Sequence, residues 1–220
     1  MSMYLTHTPQ YVQALFPGLT WKMPSGRREI FLTFDDGPIP QVTPWVLETL
    51  AEYGAKATFF CVGDNVRKNP SIYEQVILGG HSVGNHTNNH LSGWSTENIS
   101  YFHNIRHCAR LVHSDLFRPP YGKLRPSQIQ FLQRHYQIIM WDVLSGDFDR
   151  EIKPDEVFQN VIQNAGEGSI VVFHDSLKSE RNLRHALPLV LDHFTREGYS
   201  FPALLRTVSS LPVESLSVAV

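Results

Sequence analysis

Short apolar runs rich in β-branched and aromatic residues alternate along this chain with longer stretches in which apolar side chains recur every three or four positions. The first run, 29–34, ends in Asp35-Asp36-Gly37-Pro38, and Pro44 stands near the start of a helical pattern reaching Tyr53 before Gly54. A strand is predicted next over 56–62, then a helix over 70–78. After the Gly79-Gly80 break comes a short strand around Ser82-Val83-Gly84, followed by a helix over 96–113. Leu116, Phe117 and Arg118 read as extended ahead of Pro119-Pro120, because a proline disfavours helix in the residue before it. Pro126 opens a helix to about Arg134, and 136–143 reads as one strand. A helix over 154–165 with Gly166 beyond its end, a strand over 169–173 and a helix over 183–197 before Gly198 complete the clear pattern. Residues 199–204 are a candidate final strand, and the Ser- and Val-rich tail from Arg206 suits either a short strand or a disordered end.

Six or so strands separated by helices imply a parallel α/β sheet or barrel, since parallel neighbours need crossover connections. A complete eight-unit barrel takes about 250 residues, more than the 220 present, so a shortened or irregular (β/α) barrel fits better. With 42% hydrophobic residues and no linker-like stretch or charge block, the chain reads as a single domain, 1–220, with one sizeable core. Its formal charge of −2 and lack of a basic stripe argue against a nucleic-acid partner. No apolar run is long enough to cross a bilayer, and the first sixteen residues lack the basic start and continuous apolar stretch of a signal peptide; a cytoplasmic location is the expectation. Cys61 and Cys108 read as small buried hydrophobes, too few and too far apart for a disulfide framework or a metal knuckle.

The polar residues that stand out follow predicted strands: Asp35-Asp36, His86 and His90, Arg118, Asp147, and His174-Asp175. In parallel α/β architectures the carboxyl ends of the strands form the active face, so five separated segments should meet at one mouth. Histidines at i and i+4 lie on one face of a helical turn, close enough to chelate one metal ion. His103 and His107 share that spacing but sit inside a long predicted helix without a nearby carboxylate, where a solvated face is expected. A hydrolytic metal site needs about three protein ligands and an open position; His86, His90 and one carboxylate would suffice. Adjacent Asp35 and Asp36 can both reach one pocket only if the strand ends there, as the Gly37-Pro38 turn suggests, with one binding metal and the other handling protons.

Thr33-Phe34-Asp35-Asp36-Gly37-Pro38, His86-Thr87-x-x-His90 and Arg118-Pro119-Pro120-Tyr121-Gly122, in this order and spacing, resemble the first three motifs of the polysaccharide deacetylase (NodB-homology, carbohydrate esterase family 4) domain. The resemblance spans roughly 29–204. It implies a distorted, incomplete (β/α) barrel in which Asp36, His86 and His90 hold a divalent metal, most often zinc, with cobalt or nickel in some relatives. It further implies that Asp35 is the general base, paired with Arg118; that Thr87 orders the loop between the histidines; and that the backbone N–H of Tyr121 helps bind an oxyanion. His174 corresponds to the general acid, oriented and charged by Asp147. The fourth motif departs from the family pattern: Phe148 follows Asp147 where tryptophan is usual, keeping an aromatic surface but losing the indole N–H, and Leu144 is apolar where relatives often carry a polar residue.

The activity so implied is metal-dependent removal of acetyl groups from an N-acetylated carbohydrate, a chitooligosaccharide or peptidoglycan-like glycan. The alternatives are an O-acetyl esterase acting on acetylxylan and a catalytically silent glycan-binding domain. A paired-carboxylate glycosidase is disfavoured, because it would gain nothing from two chelating histidines. Trp94, in a loop just after the histidines, and Phe148 are candidates for the substrate rim, whereas Trp45 and Trp141 read as core. His81 is expected to make a structural hydrogen bond, and Asp175 to be a cap or loop acid.

Overall fold

The computed structural model describes residues 4–24 and 26–205, so the tail from Arg206 lies outside the described residues. The elements are α1 (Gln10–Leu15), β1 (Phe31–Asp35), α2 (Thr43–Glu52), β2 (Thr58–Cys61), α3 (Gly63–Lys68), α4 (Pro70–Leu78), β3 (Ser82–Asn85), α5 (Asn98–Ala109) and β4 (Leu116–Phe117). A 3-10 turn (Pro120–Gly122) leads to α6 (Pro126–Leu132), β5 (Gln137–Ile138), β6 (Val143–Leu144), α7 (Pro154–Ile162), β7 (Ile170–His174) and α8 (Glu180–Arg196). All seven strands are parallel, in the order β5-β4-β3-β2-β1-β7-β6, and form the curled, incomplete barrel expected from the strand count and the resemblance.

Both faces of the central strands are buried, so they read as continuous apolar runs rather than alternating ones. The two-residue period still sorts the side chains. Leu32, Phe34, Phe59, Cys61, Val171 and Phe173 join α2, α7 and α8 in the larger outer core. Phe31, Phe60 and Ile170 form a smaller inner cluster with Leu116, Ile139 and Leu204. Asp35 shares a face with Phe31 and Thr33, and His174 shares one with Ile170, so both polar residues end the inner face of their strands.

Three expectations change. The single strand over 136–143 is two short strands, β5 and β6, on opposite edges of the sheet. Between them the carbonyls of Ile139 and Met140 accept hydrogen bonds from Arg118, at 3.3 and 3.0 Å, and Asp142 turns inward to Ser169 and Ile170. Residues 199–204 form no strand; only Ser200 bridges, to Glu29, and the stretch runs past the starts of β1 and β2. Helices α1 and α3 have no counterpart in the sequence reading, each being a six-residue segment.

The gap between edges β5 and β6 is spanned by the N-terminal segment. Thr20 bridges to Ile139, His7 to Val143 and Lys22 to Ser169, supported by backbone bonds from Thr8 to Asp142, from Leu144 to Thr6 and from Met140 to Thr20. Among the described residues, no helix is long and apolar enough to cross a membrane.

Candidate active site

Asp35 and His174 are paired in register at the ends of adjacent parallel strands, which places the expected base and acid beside each other. The Asp35 carboxylate is buried and accepts a 2.7 Å hydrogen bond from Arg118, itself completely buried. Arg118 also donates to the hydroxyl of Thr33 at 2.7 Å and lies 4.1 Å over the ring of Phe60. Burial alone would favour the neutral acid; the charges of Arg118, His86 and His174 outweigh it and hold Asp35 below the usual carboxylate range. On the other side, buried Asp147 accepts both the backbone N–H of His174, at 2.7 Å, and its ring Nδ1–H, at 2.8 Å. This fixes the ring and leaves Nε2 directed away from Asp147. Burial opposes charging His174, but Asp147, with Asp36 and Asp35 beyond it, raises its pKa to about 9.

Asp36, His86 and His90 offer one ligand atom each, all within 4.8 Å of one another. Asp36 Oδ1 is 3.2 Å from His90 Nε2 and 3.9 Å from His86 Nε2, and it is buried without a hydrogen-bond partner, as a carboxylate oxygen aimed at a cation would be. His86 Nδ1 donates to the carbonyl of Arg118 at 2.7 Å, which directs the lone pair of Nε2 toward Asp36. Burial lowers the His86 pKa to about 4, keeping the neutral, ligating form. His90 Nδ1 meets the hydroxyl of Tyr121 at 3.1 Å in the same way. The donor set, two imidazoles and a carboxylate, suits a divalent first-row metal.

The histidines do not lie on a helical turn, as their spacing suggested; they sit in an irregular loop after β3. Thr87 and His90 take left-handed backbone angles, φ 64° and 60°, as do Asp36 at 85° and Tyr121 at 61°. Among the described residues these are all the non-glycine positions with positive φ. Each costs about 1–3 kcal/mol and needs surrounding structure to enforce it. The loop is held by Asn85, whose side-chain oxygen accepts from Thr87, and by Asn104 on α5, which accepts from Asn88 and donates to Asn89. The Thr87 hydroxyl accepts from the Leu91 N–H, an ordering bond inside the loop.

The turn carrying Asp36 is held from β7. Asp175, read from sequence as a cap or loop acid, is wholly buried: its backbone N–H donates to the Asp35 carbonyl at 3.1 Å, and its carboxyl accepts from Gly37 N–H at 3.0 Å and meets the Thr43 hydroxyl at 2.5 Å. A Cβ at residue 37 would run into that carboxyl, so only glycine fits. Burial pushes the Asp175 pKa up to about 8. Asn65 adds a 2.7 Å bond to the Asp36 carbonyl. Sequence reasoning placed Asp175 among the residues that follow strand ends but gave it no role beyond a cap or loop acid, and it quoted Thr33 within the first motif without assigning it a contact.

Trp94 is 60% exposed and lines a cleft of about 340 Å³ with Ser92, Ser95, Tyr121 and Lys123. Phe148 is half-buried, its ring edge-on to His174 at 5.2 Å and 4.9 Å from Tyr4. Leu144 is buried in β6, and Trp45 and Trp141 pack partly buried against the cores. His81 accepts the Ala57 N–H at 3.1 Å, a structural bond. Both cysteines are buried, and burial pushes the Cys108 thiol up to about 12. His103 and His107 are exposed on α5.

The polysaccharide deacetylase family model matches residues 22–136, over half the chain and three of the segments that meet here. The chain belongs to the polysaccharide deacetylase family. A peptidoglycan-N-acetylglucosamine deacetylase of Bacillus cereus is 33% identical over 83% of this chain and 89% of its own. A chitooligosaccharide deacetylase of Azorhizobium caulinodans is 32% identical over 72% of this chain and 79% of its own. Among solved structures, a peptidoglycan N-acetylglucosamine deacetylase in complex with a naphthyl-substituted N-oxidanyl-benzamide superposes with a TM-score of 0.81 at 28% identity, covering 90% of this chain and 95% of that one. The chain is thus a hydrolase of the polysaccharide deacetylase type.

Proposed function

We propose that this deacetylase removes the acetyl group from an N-acetylated glycan, of the chitooligosaccharide or peptidoglycan kind, with a divalent metal, most often zinc, held by Asp36, His86 and His90. The observation that carries the reading is the meeting of that ligand set with two differently tuned pairs, Asp35 with Arg118 and His174 with Asp147. A bound cation supplies Lewis-acid activation of water and of the acetyl carbonyl. Asp35, kept ionised by Arg118, takes the proton of the attacking water. The Tyr121 backbone N–H, presented by its left-handed conformation, is assigned to the developing oxyanion, where one such donor contributes about 10²–10³ in rate. His174, protonated at neutral pH, donates from Nε2 to the departing nitrogen. Trp94 and Phe148 border the entrance on either side.

The test is acetate release from chitooligosaccharides, peptidoglycan fragments, acetylxylan and an aryl acetate, by chelated protein and by protein reloaded with zinc, cobalt or nickel. Metal-restored release from an N-acetyl sugar is expected. Release confined to acetylxylan or the aryl ester would replace the reading with an O-acetyl esterase; no release with any metal, from protein that still binds metal and glycan, would make this a silent glycan-binding domain.

The tuning of His174 gives a second expectation. Activity should fall as pH rises through about 9, where the acid loses its proton. In Asp147→Asn, burial is no longer countered by the adjacent charge and only Asp36 and Asp35 remain to raise the ring, so the alkaline limb should move to lower pH. A raised folded pKa also stabilises the fold fully below the unfolded value, with that contribution lost as pH rises through about 9. Rate–pH profiles of the two proteins check the shift; an unmoved alkaline limb would remove His174 from the acid role.

A further inference from the structure

We propose that Tyr4 is a positioning residue of the deacetylase site: it fixes the Phe148 ring beside His174, and through that ring it sets how tightly the glycan is held at the entrance. The inference rests on the deacetylase reading. Tyr4 stands outside residues 22–136, the part of the chain that the family model matches.

The register of the N-terminal segment carries Tyr4 to this place. His7 pairs antiparallel with Val143, and the Thr6 carbonyl accepts the N–H of Leu144 at 2.9 Å. In an antiparallel pair each step back on one strand is a step forward on the other, so Tyr4 falls opposite Gly146, just past the end of β6. There the chain turns: the Asp149 N–H donates to the Gly146 carbonyl at 2.9 Å, which leaves Asp147 and Phe148 at the tip. Gly146 has φ 80°, and a Cβ on it would stand 2.8 Å from the Tyr4 hydroxyl oxygen and 3.2 Å from a ring carbon, so glycine is what lets the tyrosine lie against the turn. The Tyr4 hydroxyl donates to Asp149 Oδ2 at 3.1 Å, and its ring centre is 4.9 Å from that of Phe148. Burial and the Asp149 carboxylate raise the phenol above its ordinary pKa and keep it the donor. One side chain thus touches Gly146, Phe148 and Asp149 together.

The backbone of the turn has other supports. Asn182 on α8 donates to the carbonyls of Asp147 and Asp149, at 3.1 and 2.8 Å, and Asn160 on α7 donates to that of Ser145 at 3.0 Å. His174 is held in turn by its two bonds to Asp147. None of these bonds reaches the Phe148 side chain. Its ring meets His174 at 5.2 Å, the Lys178 ammonium at 5.3 Å and Tyr4. Lys178 is an exposed residue on a flexible stem and His174 is the group to be flanked, so the placement of the ring falls to Tyr4. A ring already fixed loses no freedom when the sugar arrives, whereas a loose one must be ordered at the expense of affinity. Without Tyr4 the acid keeps its orientation and the sugar loses a preset wall.

The experiment measures acetate release from a chitooligosaccharide by the zinc-loaded full chain and its variants. Tyr4→Ala should raise KM roughly three- to tenfold, the size of a lost aromatic pair, with kcat within about twofold of the parent. Tyr4→Phe keeps the ring and should hold KM within about twofold of the parent. Tyr4→Leu, which keeps apolar bulk without the aromatic face, should behave as Tyr4→Ala, and it carries the same test if thermal denaturation shows the alanine variant unfolded at the assay temperature. In a Phe148→Ala background, Tyr4→Ala should change KM by less than about twofold, because the group it acts through is gone. An unchanged KM in Tyr4→Ala, even with a lowered Tm, would overturn the assignment and leave Tyr4 a structural contact. So would a KM raised as much in Tyr4→Phe, or the same fold-increase with and without Phe148. Absence of release from the parent with zinc, cobalt or nickel would instead sink the deacetylase reading. Calorimetric binding of the same oligomer then decides Tyr4: weaker binding in Tyr4→Ala, recovered in Tyr4→Phe, supports it, and equal binding overturns it.

Discussion

Asp35→Asn will lower kcat for acetate release by about 10²–10⁴-fold, the usual contribution of a positioned general base, while the protein still takes up its metal. The substitution keeps the size of the side chain and an oxygen for Arg118, 2.7 Å away, but removes the only lone pairs basic enough to take the water's proton. The proposed ligand atoms belong to Asp36, His86 and His90, so metal uptake should survive. Turnover measured alongside metal content separates the two effects. A rate within a few-fold of the parent, at equal metal content, would show that the proton goes elsewhere.

The second large effect is on stability. Arg118→Leu should cost about 3–5 kcal/mol, as expected when one partner of a buried ion pair is removed. For a chain of this size that lowers Tm by roughly 6–20 °C. Three consequences act together. The Asp35 carboxylate loses its counter-charge in a buried position, the carbonyls of Ile139 and Met140 lose their donor, and the Phe60 ring loses the guanidinium stacked on it. Adding Asp35→Asn should recover part of the loss, because the stranded charge then disappears, so the double variant should be more stable than the sum of the singles predicts. Thermal denaturation of the four proteins tests this; strict additivity would mean that Arg118 and Asp35 do not depend on one another in the fold.

The central strands were legible because burial on both faces writes itself as an uninterrupted apolar run, and because those runs end in the polar residues that the barrel mouth collects. The pairings in the site came from the family motifs, whose residues the chain brings together as a constellation. The break between β5 and β6 was not legible: residues 136–143 have strand composition, and the donor that captures the carbonyls of Ile139 and Met140 comes from Arg118. The loop holding His86 and His90 misled for a related reason. An i, i+4 spacing advertises a helix, whereas left-handed Thr87 and His90 carry no sequence mark when neither is glycine and the enforcing bonds come from Asn85 and from Asn104 on α5. Helix α3 begins Gly-Asp-Asn, a turn-like composition, and is too short for periodicity to show.

The N-terminal crossing between β5 and β6 bears on where the folding unit begins. The family match starts at residue 22, yet Thr6, His7, Thr8 and Thr20 supply backbone partners to Leu144, Val143, Asp142, Ile139 and Met140. A fragment cut at the start of the match would leave the main-chain groups along both rims of the sheet without these partners, and such rims are templates for strand addition by other molecules. The recognisable sequence and the self-contained fold thus have different boundaries, and the segment from Thr6 to Lys22 acts as a clasp that keeps a seven-stranded open sheet from behaving as one.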